Sequence, residues 1–372
     1  MDGSFNLAGK INVGVDYFDG CIRNVNVQSS RPMELTRLLE GKSPNEVVQR
    51  VPLLFGLCSC AQTIAALTAI ESAQGKPCDD KALQARKLLL LAETTKELGL
   101  RLGRDWLGSA KLLNLPELLN WFADFRTQLS WCLQLNPCKP EKRFPLPRFI
   151  SELEGMLENI TGPNELQFKE AVYAQNQTHP IGKAVADLSD RYDGINLGPA
   201  CPEMDLSSDY LDWQLNQSGQ SFCALPRGEG GCFETSIWTR NCKRSMIKES
   251  GLLTINPIAQ RFLALLLELK AVPHRLLQVD DELLIRSDKP GFAWVEAARG
   301  VLIHRVTMSS HNGDERMDQY RIIAPTEWNF HPQGTLVSML EGVRVPEDKA
   351  ADLVGKLILS VDPCVAYEVE VN

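Results

Sequence analysis

Two cysteine-bearing segments far apart in the chain hold the residues best suited to chemistry. The first, Phe55-Gly56-Leu57-Cys58-Ser59-Cys60-Ala61-Gln62, lies at a loop-to-helix junction. A thiol at a helix start feels the positive end of the macrodipole, which favours thiolate, the metal-binding and nucleophilic form. Cys58 and Cys60 also fit as small apolar residues in a well-packed helix start, and both readings stay open at this level. A Cys-x-Cys spacing is too short for a regular zinc knuckle and has no nearby partner pair. The second segment is Asp362-Pro363-Cys364. Its proline forbids continuation of the preceding helix, so Cys364 sits at a defined turn, either as a ligand or as an inert thiol. Between them lie Val295-Glu296-Ala297-Ala298-Arg299-Gly300 and Ala324-Pro325-Thr326-Glu327-Trp328-Asn329. The pattern places Arg299 in a buried strand, where a guanidinium needs an ion-pair partner such as Glu296 or an anionic ligand. Gly228-Glu229-Gly230-Gly231 lacks the Lys-Ser/Thr of a phosphate loop, and Asp280-Asp281-Glu282 reads as a solvated acidic turn. No Ser-His-Asp elbow and no His-Glu-x-x-His helix appears.

The elements that must position these residues are mostly helical. Alternation on both sides of Asp19-Gly20 predicts a hairpin over residues 10–27. A helix opening near Pro32 and closing at Gly41 follows, then a short one through Val47 to Arg50. Helical segments run from Cys58 to about Ser72, from Asp79-Asp80 to Leu98, and from Leu115 to Leu135. Together they point to a bundle core. The proline-rich and basic stretch from Asn136 to Arg148 reads as an exposed connector, and residues 160–250 as mixed short elements. Pro257 to Val272 is a buried helix. Trp294–Met308 and Asp318–Ile323 read as two strands joined by the polar turn His311–Asp314, and Gly334–Glu341 and Glu347–Leu359 as the last helices.

Composition narrows the function. The 372 residues carry 39 Lys+Arg against 47 Asp+Glu, a net charge of −8, and no basic block dense enough for phosphate neutralisation, which excludes a nucleic-acid protein. By length the chain holds two or three domains or one elaborated domain, and it is long enough to fold without metal or disulfide staples. Its longest apolar stretch, Phe262 to Leu267, is far short of the roughly 20 residues of a membrane span. Eleven cysteines, an odd number with no signal segment before them, imply reduced thiols and a cytoplasmic protein. The sequons at Asn159, Asn176 and Asn216 then carry no meaning. With only five His, a His-rich catalytic metal site is disfavoured.

The order of these pieces resembles the large subunit of nickel–iron hydrogenases along nearly the whole chain. It runs from the hairpin through Leu38-Leu39-Glu40-Gly41-Lys42 and Leu53-Leu54-Phe55-Gly56-Leu57-Cys58 to the long helices. Glu296-Ala297-Ala298-Arg299-Gly300, the Ala324–Asn329 motif and Asp362-Pro363-Cys364 then follow. In that family the first motif reads Arg-x-Cys-Gly-x-Cys-x-x-x-His and the last Asp-Pro-Cys-x-x-Cys-x-x-His, and the four cysteines hold nickel and an iron carrying cyanide and carbon monoxide. Here Leu53, Phe55 and Gln62 stand where the first motif has Arg, Cys and His, while Tyr367 and Glu370 stand where the last has Cys and His. Thr36 takes the place of a glutamate beside a structural ion, and a proton-relay glutamate falls near Asn6. Four thiolates have become two, Cys58 and Cys364, with Cys60 an extra thiol of open role. Two cysteines alone would leave nickel badly under-coordinated.

What the resemblance retains is the pocket for the iron's diatomic ligands: Ala297, Ala298, Arg299, Pro325 and Thr326. A buried guanidinium and a hydroxyl suit iron-bound cyanide, an anionic acceptor. With only two residues after Glu370, the resemblance leads to the expectation of a protein without the removable extension of immature large subunits. This combination is similar to the large-subunit-like maturation proteins of the HupK/HoxV type. The resemblance implies one α+β, predominantly helical domain over residues 1–372, with a central long-helix bundle and peripheral β-hairpins. Its parts are 1–135, a variable polar 136–250, and 251–372. It implies a non-enzymatic scaffold that holds Fe(CN)2CO transiently on Cys58 and Cys364, without nickel. Arg299 and Thr326 would orient the cyanides, and the partners would be hydrogenase maturation accessory proteins and the hydrogenase large subunit. Two other readings stand beside it: a metal-free large-subunit mimic that recruits or protects maturation partners, and a divergent hydrogenase subunit.

Overall fold

The structure, a computed structural model, describes residues 9–107, 112–162, 179–242, 256–279, 284–311 and 313–372. It is helical with two small sheets, as expected. β1 (Lys10–Phe18) and β2 (Cys21–Ser29) form the predicted hairpin, with Asp19 and Gly20 both at positive φ in the two-residue loop. A strand not anticipated from sequence, β7 (Ala366–Val371), joins its other edge in parallel, Ile11 facing Tyr367 and Val13 facing Val369. The segment that follows Cys364 is thereby tied to the first strand described.

The helix predicted after Pro32 is a 3-10 helix, Met33–Leu39. α1 (Pro44–Leu54) is longer than expected because Ser43 and Glu46 close a capping box at its start. α2 (Ser59–Ala73), α3 (Asp80–Arg101) and α4 (Leu115–Leu129) follow the predicted order, with Asp79 and Asn114 capping α3 and α4. α2 and the middle of α3 are buried on nearly all sides, Ile64 to Leu67 on one and Leu88 to Leu91 on the other. α5 (Leu146–Thr161) was not anticipated. Its Phe149 packs against Phe125 of α4 and Phe144 of the connector, which is otherwise largely exposed.

Beyond it come α6 (Pro180–Arg191), α7 (Ser208–Ala224, broken at Gly219) and the short α8 (Ile237–Asn241). The buried helix α9 (Pro257–Leu277) extends past the predicted Val272 with Pro273 inside it. The acidic turn at Asp280–Glu282, Asn6, and most of the 160–180 and 243–255 stretches lie outside the described residues.

The second sheet has the order β3 (Ile285–Arg286), β4 (Phe292–Ala297), β5 (Gly300–His311) and β6 (Asp314–Ile323), all antiparallel. Here one expectation is corrected. Trp294–Met308 is not one strand: it turns back at Ala298-Arg299, with Ala297 paired to Gly300. Gly300 permits the reversal. It sits at φ +130°, and a Cβ there would lie 1.9 Å from the Thr235 carbonyl oxygen. Arg299 therefore projects from a turn, where its side chain is not confined to alternate between two sheet faces. α10 (Pro325–Asn329), α11 (Thr335–Leu340) and α12 (Glu347–Val361) complete the chain. The main core draws residues from β1 and β2, α2 to α6, α9, the second sheet and α12.

Candidate metal centre

Cys58 is the residue that caps α2, reached from α1 through Phe55-Gly56-Leu57. Cys364 is placed by the end of α12. There Asp362 takes the left-handed conformation, φ 65° and ψ 76°, Pro363 blocks further helix, and β7 fixes the continuing chain. The two half-buried thiols line one cavity of about 290 Å³. Ala297, Ala298, Arg299 and Pro325 line the same cavity. Thr326 faces an adjoining one, and its Oγ1 lies 2.8 Å from the Cys364 sulfur. The structure thus brings together every proposed site residue except Cys60. That thiol is fully buried beneath the start of α2 and does not line the cavity.

The surrounding charges are ordered. Arg299 Nη1 donates to Glu97 Oε2 at 3.0 Å, and its Nε lies 3.3 Å from Asp362 Oδ1. Burial opposes its charge, but Asp362 and Glu97 outweigh burial and raise its pKa, so it stays a cation. Glu296, the partner considered from sequence, pairs instead with Arg240. Arg240 also donates to the carbonyls of Ala297 and Ala298, both at 2.9 Å, and so holds the Arg299 turn from outside. Arg101 reaches Asp362 at 2.5 Å and the Pro363 carbonyl at 2.8 Å, which anchors the turn that presents Cys364.

Cys58 itself departs from expectation. Burial pushes its thiol up to about 12, with the Glu93 carboxylate adding to the effect. The helix start does not favour thiolate here because its amides are engaged: Glu93 accepts from the Cys60 and Ala61 N–H groups at 2.9 and 2.8 Å. A carboxylate from α3 thus occupies the positive end of α2. Burial likewise raises the Cys60 thiol, which is turned toward Glu93. An apo chain therefore keeps protons on both, and a metal at Cys58 must displace one.

The substituted positions have different fates. Phe55, Gln62 and Thr36 line the cavity, whereas Leu53 is 82% exposed. The Gln62 amide nitrogen lies 3.8 Å from the Cys58 sulfur, and the Thr36 hydroxyl is buried without a partner among the described residues. Tyr367 and Glu370 sit on β7 and do not line the cavity. Among the described residues no group of three or more His, Cys, Asp or Glu could hold a metal ion.

Sequence reasoning missed Arg31 and gave Glu327 no role. They form an ion pair at 2.7 Å and line the same cavity, with Glu327 also accepting from the Ala324 N–H at 3.1 Å. The signal that could have found Glu327 is its place as the N3 residue of the capping box that opens α10. Nothing local connects Arg31 to it.

The fold is that of nickel–iron hydrogenase large subunits. A [NiFeSe]-hydrogenase chain from Dm. baculatum superposes with a TM-score of 0.56 over 94% of both chains, at 16% identity. The G491S variant of the Desulfovibrio vulgaris Hildenborough enzyme gives 0.58 at 14% identity, again over 94% of each. The nickel-dependent hydrogenase family matches residues 235–370. Sequence relatives carry a different description. The chain is 30% identical to the hydrogenase expression/formation protein HupK of Azotobacter vinelandii over 98% of its length and 99% of that protein's. It is 29% identical to HupV of Azotobacter chroococcum mcd 1, over 98% and 99%, and 28% identical to HoxV of Cupriavidus necator, over 92% of each. The chain belongs to the HupK family of hydrogenase expression/formation proteins.

Proposed function

We propose that this protein holds the Fe(CN)2CO unit of a nickel–iron active site while a hydrogenase large subunit is being formed, and that it has no hydrogenase activity of its own. Its family names a role in hydrogenase formation. The observation that carries the finer reading is the convergence of Cys58 and Cys364 on one cavity beside Arg299, with no further cysteine or histidine lining it among the described residues. Two thiolates, two cyanides and one carbonyl give an iron five ligands, whereas a nickel ion would find two. Iron(II) with two cyanides and two thiolates is a dianion. The cavity meets it with two guanidiniums, Arg299 and Arg31. Binding converts buried thiols to thiolates, so loading releases protons and unloading takes them up.

The cavity could serve both delivery and release, because two protein ligands hold the cargo less firmly than four. The partners that follow from this reading are maturation accessory proteins and the hydrogenase large subunit, met in the cytoplasm. The test is infrared spectroscopy on protein isolated from a hydrogenase-producing host, alongside Cys58→Ala and Cys364→Ala variants. The wild type should show cyanide and carbonyl bands and each variant should lose them. A wild type reproducibly without bands, with maturation unchanged in both variants, would leave only the metal-free mimic.

A further inference from the structure

A fully buried chain of three polar side chains leads away from Cys58. The Gln62 amide nitrogen lies 3.8 Å from the Cys58 sulfur, and the Gln62 Oε1 lies 2.9 Å from His304 Nε2. His304 Nδ1 in turn lies 2.8 Å from the Tyr320 hydroxyl. Gln62, His304 and Tyr320 are 1%, 0% and 0% exposed. Three polar groups placed where apolar ones would pack carry a desolvation cost, offset only if every donor meets an acceptor.

The chemistry of the three groups fixes the direction of every bond. A carbonyl oxygen only accepts, so Nε2 must carry the imidazole hydrogen. Burial keeps this histidine neutral, so Nδ1 has a lone pair and Tyr320 must donate its O–H to it. With Oε1 held by His304, the amide NH2 has one orientation left, toward the sulfur. We propose that Tyr320 and His304 are positioning residues that lock the Gln62 amide with its N–H aimed at Cys58, where it supports the thiolate form that binds iron. Without them the amide could turn its oxygen to the sulfur, setting a lone pair against a thiolate. The Gln62 side chain is therefore the residue in contact, and the two behind it act only through it.

This inference rests on the iron-carrier reading, and its experiment separates the two. An N–H···S bond draws electron density from the thiolate. Losing it makes the sulfur a stronger donor, the iron passes more charge to the carbonyl, and the carbonyl band moves to lower wavenumber. Infrared spectra are recorded on wild type, Gln62→Leu and Tyr320→Phe, each isolated from a hydrogenase-producing host. Gln62→Leu removes the donor and sets the full shift. Tyr320→Phe keeps the ring and deletes one oxygen remote from the cavity. It should move the band in the same direction, or split it into two populations, at unchanged iron content. A Tyr320→Phe band coincident with wild type, beside a shifted Gln62→Leu band, would overturn the relay and leave the carrier intact. His304→Gln gives a second, independent interruption and should shift the band likewise. No bands in wild type would overturn the carrier reading, and this inference with it.

Discussion

Asp362 offers the sharpest test of how the second thiol is placed. It does two separable jobs. Its backbone takes the left-handed conformation that ends α12, and its carboxylate lies between Arg101 at 2.5 Å and Arg299 at 3.3 Å while only 5% exposed. Asp362→Asn keeps the shape and an αL-tolerant backbone but deletes the charge. Breaking a buried pair by removing one partner costs about 3–5 kcal/mol, because the remaining charge is left buried. Here each arginine keeps a second carboxylate, Asp105 for Arg101 and Glu97 for Arg299. The loss should therefore fall at the low end of that range, about 3 kcal/mol. Asp362→Ala should cost a further 1–2 kcal/mol or so for a left-handed residue that lacks the short polar side chain. Urea denaturation of the three proteins, compared through their midpoints at a common slope, reads both terms. Asp362→Asn within about 0.5 kcal/mol of wild type, the range of an ordinary surface change, would refute the claim that this carboxylate clamps the two guanidiniums. Asn and Ala equally destabilised would refute the backbone part.

Three further outcomes follow from the same geometry. His304 is held neutral by burial, its pKa lowered from 6.5 to about 3. Unfolded chains bind its proton below pH 6.5 and the fold does not, so stability present above that pH falls by about 1.4 kcal/mol per unit on acidification toward pH 3. His304→Gln should flatten the stability profile between pH 6 and 4, and an unchanged profile would show that this imidazole does not set it. Gly300→Ala places a Cβ 1.9 Å from the Thr235 carbonyl oxygen at φ +130°. It should cost more than about 4 kcal/mol, in the tail of single substitutions, and a soluble variant with near-wild-type melting would refute the packing described for this turn. Thr326→Val removes the hydroxyl 2.8 Å from the Cys364 sulfur. It should cost roughly 1 kcal/mol of stability yet lower the iron content of isolated protein, and full iron occupancy would remove Thr326 from the site.

The parts of this architecture that sequence makes legible are those written locally. The hairpin is announced by Asp19-Gly20, α3 by Asp79 before a leucine run, and the site residues by short motifs that keep the large-subunit order. What stays hidden depends on partners distant in the chain. β7 alternates Tyr367, Val369 and Val371 with Glu368 and Glu370, but that apolar face is short and partly exposed, and pairing with β1 is what secures it as a strand. α5 follows a proline-rich connector and is fixed by Phe149 against Phe125. Glu93 looks like one more charge on a helix, yet it takes the α2 amides and reverses the expected ionisation of Cys58. Arg31 falls outside every motif and enters the site only because Glu327 lies across from it. Arg299 was placed in a strand because the reversal at Gly300 depends on the space beside Thr235, which periodicity does not record.

The parallel pairing of β7 with β1 also has a temporal side. Cys58 leaves the ribosome early, but Cys364 reaches its position only once the strand beyond it has threaded alongside β1, a contact of very large sequence separation and so among the slow ones to form. A nascent chain offers one thiol and an unfinished cavity. The cavity is therefore complete only after translation has delivered β7 and the fold has closed around it. Under the proposed carrier role, loading would therefore follow the pairing of β7 with β1.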